Sequence, residues 1–116
     1  MPRFVILDHD HPELHWDLML EAGDALRTWR LAEPPEPGRT IDATALGDHR
    51  AMYLNYEGPV SGDRGTVKRW DSGTFEEMAD STPTRRMFSL TGRRVIGQVK
   101  LTQVDGASWR FVWESR

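Results

Sequence analysis

Hydrophobic and polar positions alternate with a period of two along much of the chain. In residues 15–21 the apolar side chains of Trp16, Leu18 and Leu20 alternate with the side chains of His15, Asp17, Met19 and Glu21. Residues two apart in a strand project from the same face, so this pattern predicts a strand with one apolar face. Similar segments predict further strands at Phe4–Leu7, Leu26–Leu31, Met52–Tyr56, Thr66–Trp70, Thr74–Met78, Met87–Leu90, Val95–Thr102 and Ser108–Trp113.

Turn-forming residues separate the predicted strands. Glycine, proline, aspartate and serine cluster at residues 22–24, 34–38, 61–65, 71–73, 91–92 and 105–106. Many short strands at close spacing are typical of a β-sandwich or a β-barrel, and 116 residues suit one domain. We therefore predict a mainly β single domain over residues 1–116. One or two helical turns are expected within Thr40–His49, and Phe75–Ala79 is compatible with helix or strand.

The composition excludes several classes of protein. The chain has no cysteine, which excludes disulfides and thiolate metal ligands. No segment approaches the roughly 20 apolar residues that a membrane-spanning helix needs, so no membrane partner is expected. The apolar run Phe4–Leu7 is short and ends at Asp8, which predicts a strand and not a signal peptide. A cytoplasmic location is therefore expected.

Charge is distributed unevenly between the two halves of the chain. The net charge of −3 argues against a protein that coats DNA non-specifically. Residues 1–58 hold five Lys and Arg against eleven Asp and Glu, whereas residues 59–116 hold ten against seven. The first half is suited to binding cations and the second to meeting anions, although short chains often show such asymmetry. Arg85-Arg86 and Arg93-Arg94 could contact a nucleic-acid backbone or lie at an ordinary polar surface.

Three of the four histidines lie within seven residues, at His9, His11 and His15, and Asp17 follows. In a strand the Cα atoms of His15 and Asp17 would be about 6.6 Å apart on one face, close enough to share one ion. A bend at Pro12 would bring His9 to the same point. Two imidazoles and a carboxylate suit Mn²⁺, Fe²⁺ or Zn²⁺ and leave open coordination positions. We expect His11 to lie at the surface or to contact the metal ligands without binding the metal itself.

His49 and Tyr53 form a second candidate pair. They would be about 13 Å apart in an extended segment but would share a face if the chain turned there. The alternative is that Tyr53 simply packs in the core. The tryptophans are expected to fill the core, with Trp16 beneath the histidine site and the others at Trp29, Trp70, Trp109 and Trp113.

These residues stand in the order of a known pattern: a histidine, five residues, then His-x-Asp-x-Arg-x-Glu. Here His9 is followed by His15-Trp16-Asp17-Leu18-Met19-Leu20-Glu21. A tryptophan segment comes next (residues 28–31), then His49-x-x-x-Tyr53, a Glu-Gly and glycine-turn segment (residues 56–62), Gly65–Thr74 and the segments 90–92 and 97–101. Over nearly its whole length the chain resembles the 3′-phosphoesterase domain of the bacterial DNA ligase D family.

The resemblance implies a small antiparallel β-barrel with short flanking helices. It also implies manganese-dependent removal of a 3′-terminal ribonucleoside, and then of the remaining 3′-phosphate, from DNA ends in repair. Mn²⁺ or another divalent metal would be held by His9, His15 and Asp17. His49 and Tyr53 would contact the scissile phosphate and, with His15, form the catalytic set. The implied partners are nucleic-acid 3′ ends or another phosphoester, with a repair ligase or polymerase.

Two positions depart from the family pattern. Met19 stands where the pattern has an arginine, which removes a bidentate phosphate donor. Glu33 falls where the family has a lysine, a charge reversal expected beside an anionic substrate. Arg30, Arg50 or Arg64 could supply the missing positive charge.

Three functions therefore compete. The first is a metal-dependent phosphoesterase acting on nucleic-acid 3′ ends or a related phosphoester. The second, which Met19 and Glu33 favour, is a catalytically impaired module that binds a metal, a phosphate or a DNA end. The third is a non-haem iron oxygenase, because His-x-Asp followed by a later histidine on a β-barrel also describes its ligand set.

Overall fold

In a computed structural model, which describes residues 1–114, the chain forms a closed barrel of eight antiparallel strands. The barrel follows the order β1-β2-β3-β4-β10-β9-β8-β7, and pairing of β7 with β1 closes it. Two short strands lie outside this ring: β5 pairs with β3, and β6 pairs with β7. The strands are β1 (Arg3–His9), β2 (His15–Ala22), β3 (Ala25–Leu31), β4 (Thr40–Ala45), β5 (His49–Arg50), β6 (Gly58–Pro59), β7 (Thr66–Glu77), β8 (Arg85–Thr91), β9 (Ile96–Asp105) and β10 (Ser108–Glu114).

Both faces of the β1–β3 wall are buried. On the inner face, alternate residues such as Phe4, Leu18 and Trp29 join the barrel core. On the outer face, the intervening residues form a second apolar cluster, which the connection between β4 and β7 covers. Its buried members are Val5, Leu7, Met19, Leu26, Leu54 and Val67. This double burial explains the unbroken apolar run in β1, since alternation needs a solvated face.

The predicted mainly β barrel and most predicted strands are confirmed, but three segments were predicted wrongly. One or two helical turns were expected within Thr40–His49, whereas Thr40–Ala45 is strand β4. It pairs with β3 and β10 and points Ile41 and Ala43 into the barrel core. Met52–Tyr56 was expected to be a strand, but Ala51–Leu54 is a 3-10 helix. Leu54 is the buried residue of this helix, so the segment lacks the row of alternate buried residues that a strand would have.

The turn predicted at residues 71–73 is also wrong, because β7 runs unbroken from Thr66 to Glu77. The pairing of β7 with β1 shifts register between Ile6 and Leu7, so this turn-like segment is accommodated without a break in the strand. Gly73 is needed there because a Cβ at this position would collide with the Thr91 carbonyl. Phe75 accordingly belongs to the strand and the barrel core, which decides against the helical alternative.

The tryptophans divide between the core and its margin. Trp29, Trp109 and Trp113 are buried in the barrel, as predicted, while Trp16 and Trp70 pack against it half-buried. Within residues 1–114 no helix has the length and apolar character needed to cross a membrane.

Candidate active site

The three predicted ligands meet where β1 ends and β2 begins. His9 and His15 are directly paired across the two strands, and Asp17 lies two residues further along β2 on the same outer face. One ligand atom from each of the three lies within 4.8 Å of the others. The Asp17 Oδ2 atom is 3.2 Å from His15 Nε2 and 3.6 Å from His9 Nδ1. Antiparallel pairing therefore brings His9 back to the site, as the bend at Pro12 predicted.

Backbone carbonyls fix the orientation of both imidazoles. His9 Nε2 donates to the Arg64 carbonyl at 2.7 Å, and His15 Nδ1 donates to the Glu13 carbonyl at 2.9 Å. A carbonyl only accepts, so these two nitrogens must carry protons. The opposite nitrogens, His9 Nδ1 and His15 Nε2, face Asp17. Histidines that bind metals typically have their other nitrogen held by a partner of this kind.

The donor set fits a divalent cation. Asp17 is 3% exposed, and its Oδ1 is a buried atom with no hydrogen-bond partner among residues 1–114. A buried carboxylate oxygen without a partner is costly, and a cation would satisfy it. Two histidine nitrogens and a carboxylate are suited to Mn²⁺, Fe²⁺ or Zn²⁺. His49 does not belong to this group of ligand atoms, so the arrangement expected of the oxygenase alternative is not the one observed.

The pKa of His15 lies above its ordinary value of 6.5. Burial alone lowers this pKa, because desolvation disfavours the imidazolium. The hydrogen bond to Asp17 and its negative charge, together with the bond to the Glu13 carbonyl, outweigh burial, while the nearby Arg30 charge opposes them. When His15 is protonated, its Nε2 proton faces Asp17, in the position that a metal would take.

His49 and Tyr53 face the same cavity as the three ligands, a space of about 240 Å³. His49 lies on β5, which is fixed to β3 by pairing with Leu26, and Tyr53 follows in the 3-10 helix. Because the chain turns there, the two rings are 6.1 Å apart. His49 Nδ1 donates to the Gly47 carbonyl at 3.0 Å, which leaves Nε2 available to a ligand.

The three candidate arginines are not equivalent. Arg30 and Arg64 line the cavity, whereas Arg50 lines an adjoining groove with His49 and Tyr53. Arg30 is directly opposite Asp17 in the β2–β3 pair, and its buried Nε has no hydrogen-bond partner among residues 1–114. Arg64 is held by Ser61, whose carbonyl accepts from its Nε at 2.7 Å.

The two positions that depart from the family pattern have different surroundings. Met19 is buried in the outer cluster and lines the floor of the cavity. Glu33 is not among the cavity's lining residues and pairs with Arg39 at 2.7 Å in an exposed loop. Arg39 therefore neutralises the negative charge of Glu33 away from the cavity. Of the two departures from the family pattern, Met19 is the one that alters the site.

The structure adds a loop that the sequence analysis missed. Asp10 accepts a hydrogen bond from the Thr66 amide at 2.8 Å, and Gly65, at a φ of 77°, packs against Asp10 and His11. This contact positions the carbonyl of Arg64 that orients His9. A glycine after Arg64 and an aspartate after His9 were the available signals. His11 itself is exposed and lines the cavity, with its ring 6.5 Å from that of His9.

Fold and site together define a small antiparallel β-barrel that carries a candidate metal centre beside a cationic cavity. The family model described as the DNA ligase D 3′-phosphoesterase domain matches residues 7–103. The chain belongs to this family.

Curated relatives share this similarity along most of the chain. The multifunctional non-homologous end joining DNA repair protein LigD of Mycobacterium tuberculosis is 31% identical over 114 residues, which cover 91% of this chain and 15% of the relative. The multifunctional non-homologous end joining protein LigD of Mycolicibacterium smegmatis is 28% identical, with 92% and 16% covered. The protein of the same name from Pseudomonas aeruginosa is 26% identical, with 96% and 14% covered. The chain thus spans about one seventh of the length of these relatives.

Proposed function

We propose that this chain is a metal-dependent phosphoesterase that trims 3′-ribonucleoside or 3′-phosphate ends of DNA in repair, with Mn²⁺ as the preferred metal. One observation carries the proposal. Among residues 1–114 the Asp17 Oδ1 has no hydrogen-bond partner, and Asp17 and the two oriented imidazoles line a cavity that His49, Tyr53 and Arg30 also line. Family membership supplies the reaction class.

His9 Nδ1, His15 Nε2 and an Asp17 oxygen would hold the metal. When bound there, the cation would neutralise phosphate charge and lower the pKa of a water. Arg30 and Arg64 would hold the non-bridging phosphate oxygens through charge-assisted hydrogen bonds. Arg50, in the adjoining groove, would contact the substrate further from the phosphate to be cleaved.

His49 is suited to proton transfer. Its Nδ1 is anchored to the Gly47 carbonyl, so a proton on Nε2 can pass to the leaving oxygen. Tyr53, with its ring edge against His49, would donate its hydroxyl to the same phosphate. His15 would contribute by holding the metal, since both of its nitrogens are already engaged.

The partners follow from the same proposal. A repair ligase or polymerase would consume the 3′-hydroxyl that this reaction leaves, and the reaction would take place in the cytoplasm. The names of the LigD relatives, which state end joining, support this setting.

The test is an end-processing assay with Mn²⁺ on a primer-template that bears one 3′-ribonucleotide or a 3′-phosphate. We expect loss of the terminal group, abolished by EDTA and reduced by about 10² to 10⁴ in His49→Ala. His15→Ala should be inactive, whereas His11→Ala, the matched control from the same histidine cluster, should keep most of the activity.

Met19 supports a second candidate, a module that binds a metal, a phosphate or a DNA end without turnover. A buried methionine cannot replace an arginine's phosphate contacts. Absence of product with Mn²⁺, Mg²⁺, Zn²⁺ and Fe²⁺, together with intact binding of the DNA end, would contradict the phosphoesterase proposal and favour this binding module.

A further inference from the structure

A second groove lies beside β7, where the connection from β8 to β9 packs against this strand. Thr91, at the end of β8, pairs with Thr74 of β7. The groove has a volume of about 350 Å³ and lies between β7 and this connection. It is lined by Arg69, Trp70, Asp71, Ser72, Arg93 and Arg94.

The connection is held in shape by Asp71, which is 3% exposed. Its Oδ1 accepts from the amides of Ser72 at 2.9 Å and Arg93 at 2.8 Å. Its Oδ2 accepts from the amides of Arg94 at 3.2 Å and Val95 at 2.8 Å. Four amide donors satisfy the carboxylate inside the protein, so Asp71 fixes the turn without a side-chain bond to an arginine of the groove.

The arginines give the groove a positive charge. The guanidinium of Arg94 lies 4.6 Å from the centre of the Trp70 ring, a cation–π contact that leaves its charge in place. No ion pair with Asp or Glu is formed by Arg69, Arg93 or Arg94 within residues 1–114. Two carboxylates lie nearby: Asp71 lines the groove, and Glu57 accepts from the Arg69 amide. The groove is therefore complementary to a polyanion.

Strand β7 connects this groove to the candidate active site. Val67 lines the active-site cavity and pairs with His9, whereas Asp71 pairs with Ile6. Four residues of strand span about 13 Å. One strand of B-form DNA advances about 3.4 Å along the helix axis per phosphate, so a duplex aligned with β7 would bring a phosphate about four nucleotides from the 3′ end to the groove.

We propose that the phosphodiester backbone of the DNA strand whose 3′ end enters the active site lies in this groove, about four nucleotides upstream. Arg69, Arg93 and Arg94 contact its phosphates. The inference rests on the proposed function, because it takes the occupant of the site to be a DNA end.

The test measures binding of a duplex with a recessed 3′ end by fluorescence anisotropy at several salt concentrations. EDTA is present, so that neither turnover nor a bound metal contributes. In the double variant Arg93→Gln/Arg94→Gln we expect binding at about 0.1 M salt to weaken on the order of tenfold or more. The slope of log affinity against log salt should fall by about two. Arg110→Gln, an exposed arginine on β10, should match the unmodified chain.

A charge-preserving variant separates phosphate binding from folding. Arg93→Lys/Arg94→Lys should restore most of the salt slope if charge is the cause, and failure to restore it would overturn the proposal. Wild-type affinity and slope in the glutamine variant, or no binding of the duplex by the unmodified chain at low salt, would also overturn it. Groove-dependent binding without turnover in the end-processing assay would leave this inference standing and contradict only the phosphoesterase.

Discussion

At the scale of single residues, the site depends on which atom carries which proton. The Arg64 and Glu13 carbonyls place protons on His9 Nε2 and His15 Nδ1. In its protonated form, His15 also donates from Nε2 to the Asp17 Oδ2 at 3.2 Å. The metal and this proton compete for the same nitrogen, so the affinity of the site must depend on pH.

We expect the affinity for Mn²⁺ to fall as the pH is lowered through the raised pKa of His15. The stability of the metal-free fold depends on pH in the opposite direction. The charged His15–Asp17 pair stabilises the fold below the ordinary histidine pKa, and this stabilisation is lost as the pH rises through the raised pKa of His15. Calorimetric titration with Mn²⁺ from about pH 8 to about pH 6 measures the first effect. An affinity that did not change over this range would contradict the assignment of Nε2 as a ligand.

Arg30 is the residue that we expect to compensate for Met19. It is opposite Asp17 in the β2–β3 pair, and its buried Nε has no hydrogen-bond partner in the described part of the chain. Removal of a charge-assisted phosphate contact costs about 1.5–3 kcal/mol, so Arg30→Gln should lower kcat/KM by roughly 10- to 150-fold. It should also raise the pKa of His15, because the Arg30 charge lowers that pKa.

Arg50→Gln is the matched control for this variant, since Arg50 lies in the adjoining groove. Its kcat/KM should stay within a few-fold of the unmodified chain. An equal or larger loss of kcat/KM in Arg50→Gln would show that Arg50, and not Arg30, compensates for Met19. The pKa of His15, followed by NMR, reports the charge at position 30 independently of turnover.

At the scale of elements, the loop before β7 controls the orientation of His9. At Gly65 a Cβ would collide with the Asp10 carboxylate, and the φ of 77° is unfavourable for any other residue. Gly65→Ala should displace the Arg64 carbonyl from His9. Loss of such a supporting contact typically weakens metal binding by 10- to 100-fold, and calorimetry measures it.

The control for the loop is Gly62→Ala. Gly62 has a similar φ of 75°, but a Cβ there would meet nothing closer than the Arg64 Nε at 3.5 Å. Both variants should lose about 1–2 kcal/mol of stability from the left-handed backbone conformation. Equal effects of the two variants on metal affinity would refute the proposed link between Gly65 and His9.

Strands β7 and β8 carry an ion pair, with Glu77 bound to the Arg86 Nε at 2.8 Å. The hydrogen bond from Arg86 holds the pKa of Glu77 below its ordinary value. The pair therefore stabilises the fold above the ordinary carboxyl pKa, and this stabilisation is lost as the pH falls through the lowered value. Glu77→Gln should be less stable than the unmodified chain at pH 7 but not at about pH 3.

Urea unfolding at the two pH values measures this difference, and Glu76→Gln, its exposed neighbour on β7, is the control. Because the carboxylate is partly exposed, the loss at pH 7 should be at most about 1 kcal/mol. A loss of the same size at both pH values would show that packing, and not charge, accounts for the effect.

Sequence patterns predicted the elements whose evidence is local. His9, His15 and Asp17 are close along the chain, and antiparallel pairing of the strands on either side brings them together. Strand β4 was mistaken for helix although Ile41 and Ala43 alternate with polar residues, because the segment is short and rich in alanine and threonine. The roles of Asp71 and Gly65 depend on contacts over 20 and 50 residues, which no local pattern reveals.

At the scale of the whole molecule, the charge asymmetry of the chain matches the layout of the barrel. The acidic first half supplies the candidate metal ligands, and the basic second half supplies Arg64 and the groove between β7 and the connection from β8 to β9. Closure of the barrel by β1 and β7 joins the two halves beside His9. The chain thus places a candidate cation site on β1 and β2 and an arginine-lined groove beside the neighbouring strand β7.

The most direct test of this account is a titration of the chain with Mn²⁺, followed by electron paramagnetic resonance. We predict one bound Mn²⁺ per chain, retained in His11→Ala and lost in Asp17→Ala, because only Asp17 supplies a ligand. Circular dichroism should confirm that both variants are folded. Absence of stoichiometric binding by the unmodified chain, or equal binding by the two variants, would contradict the account.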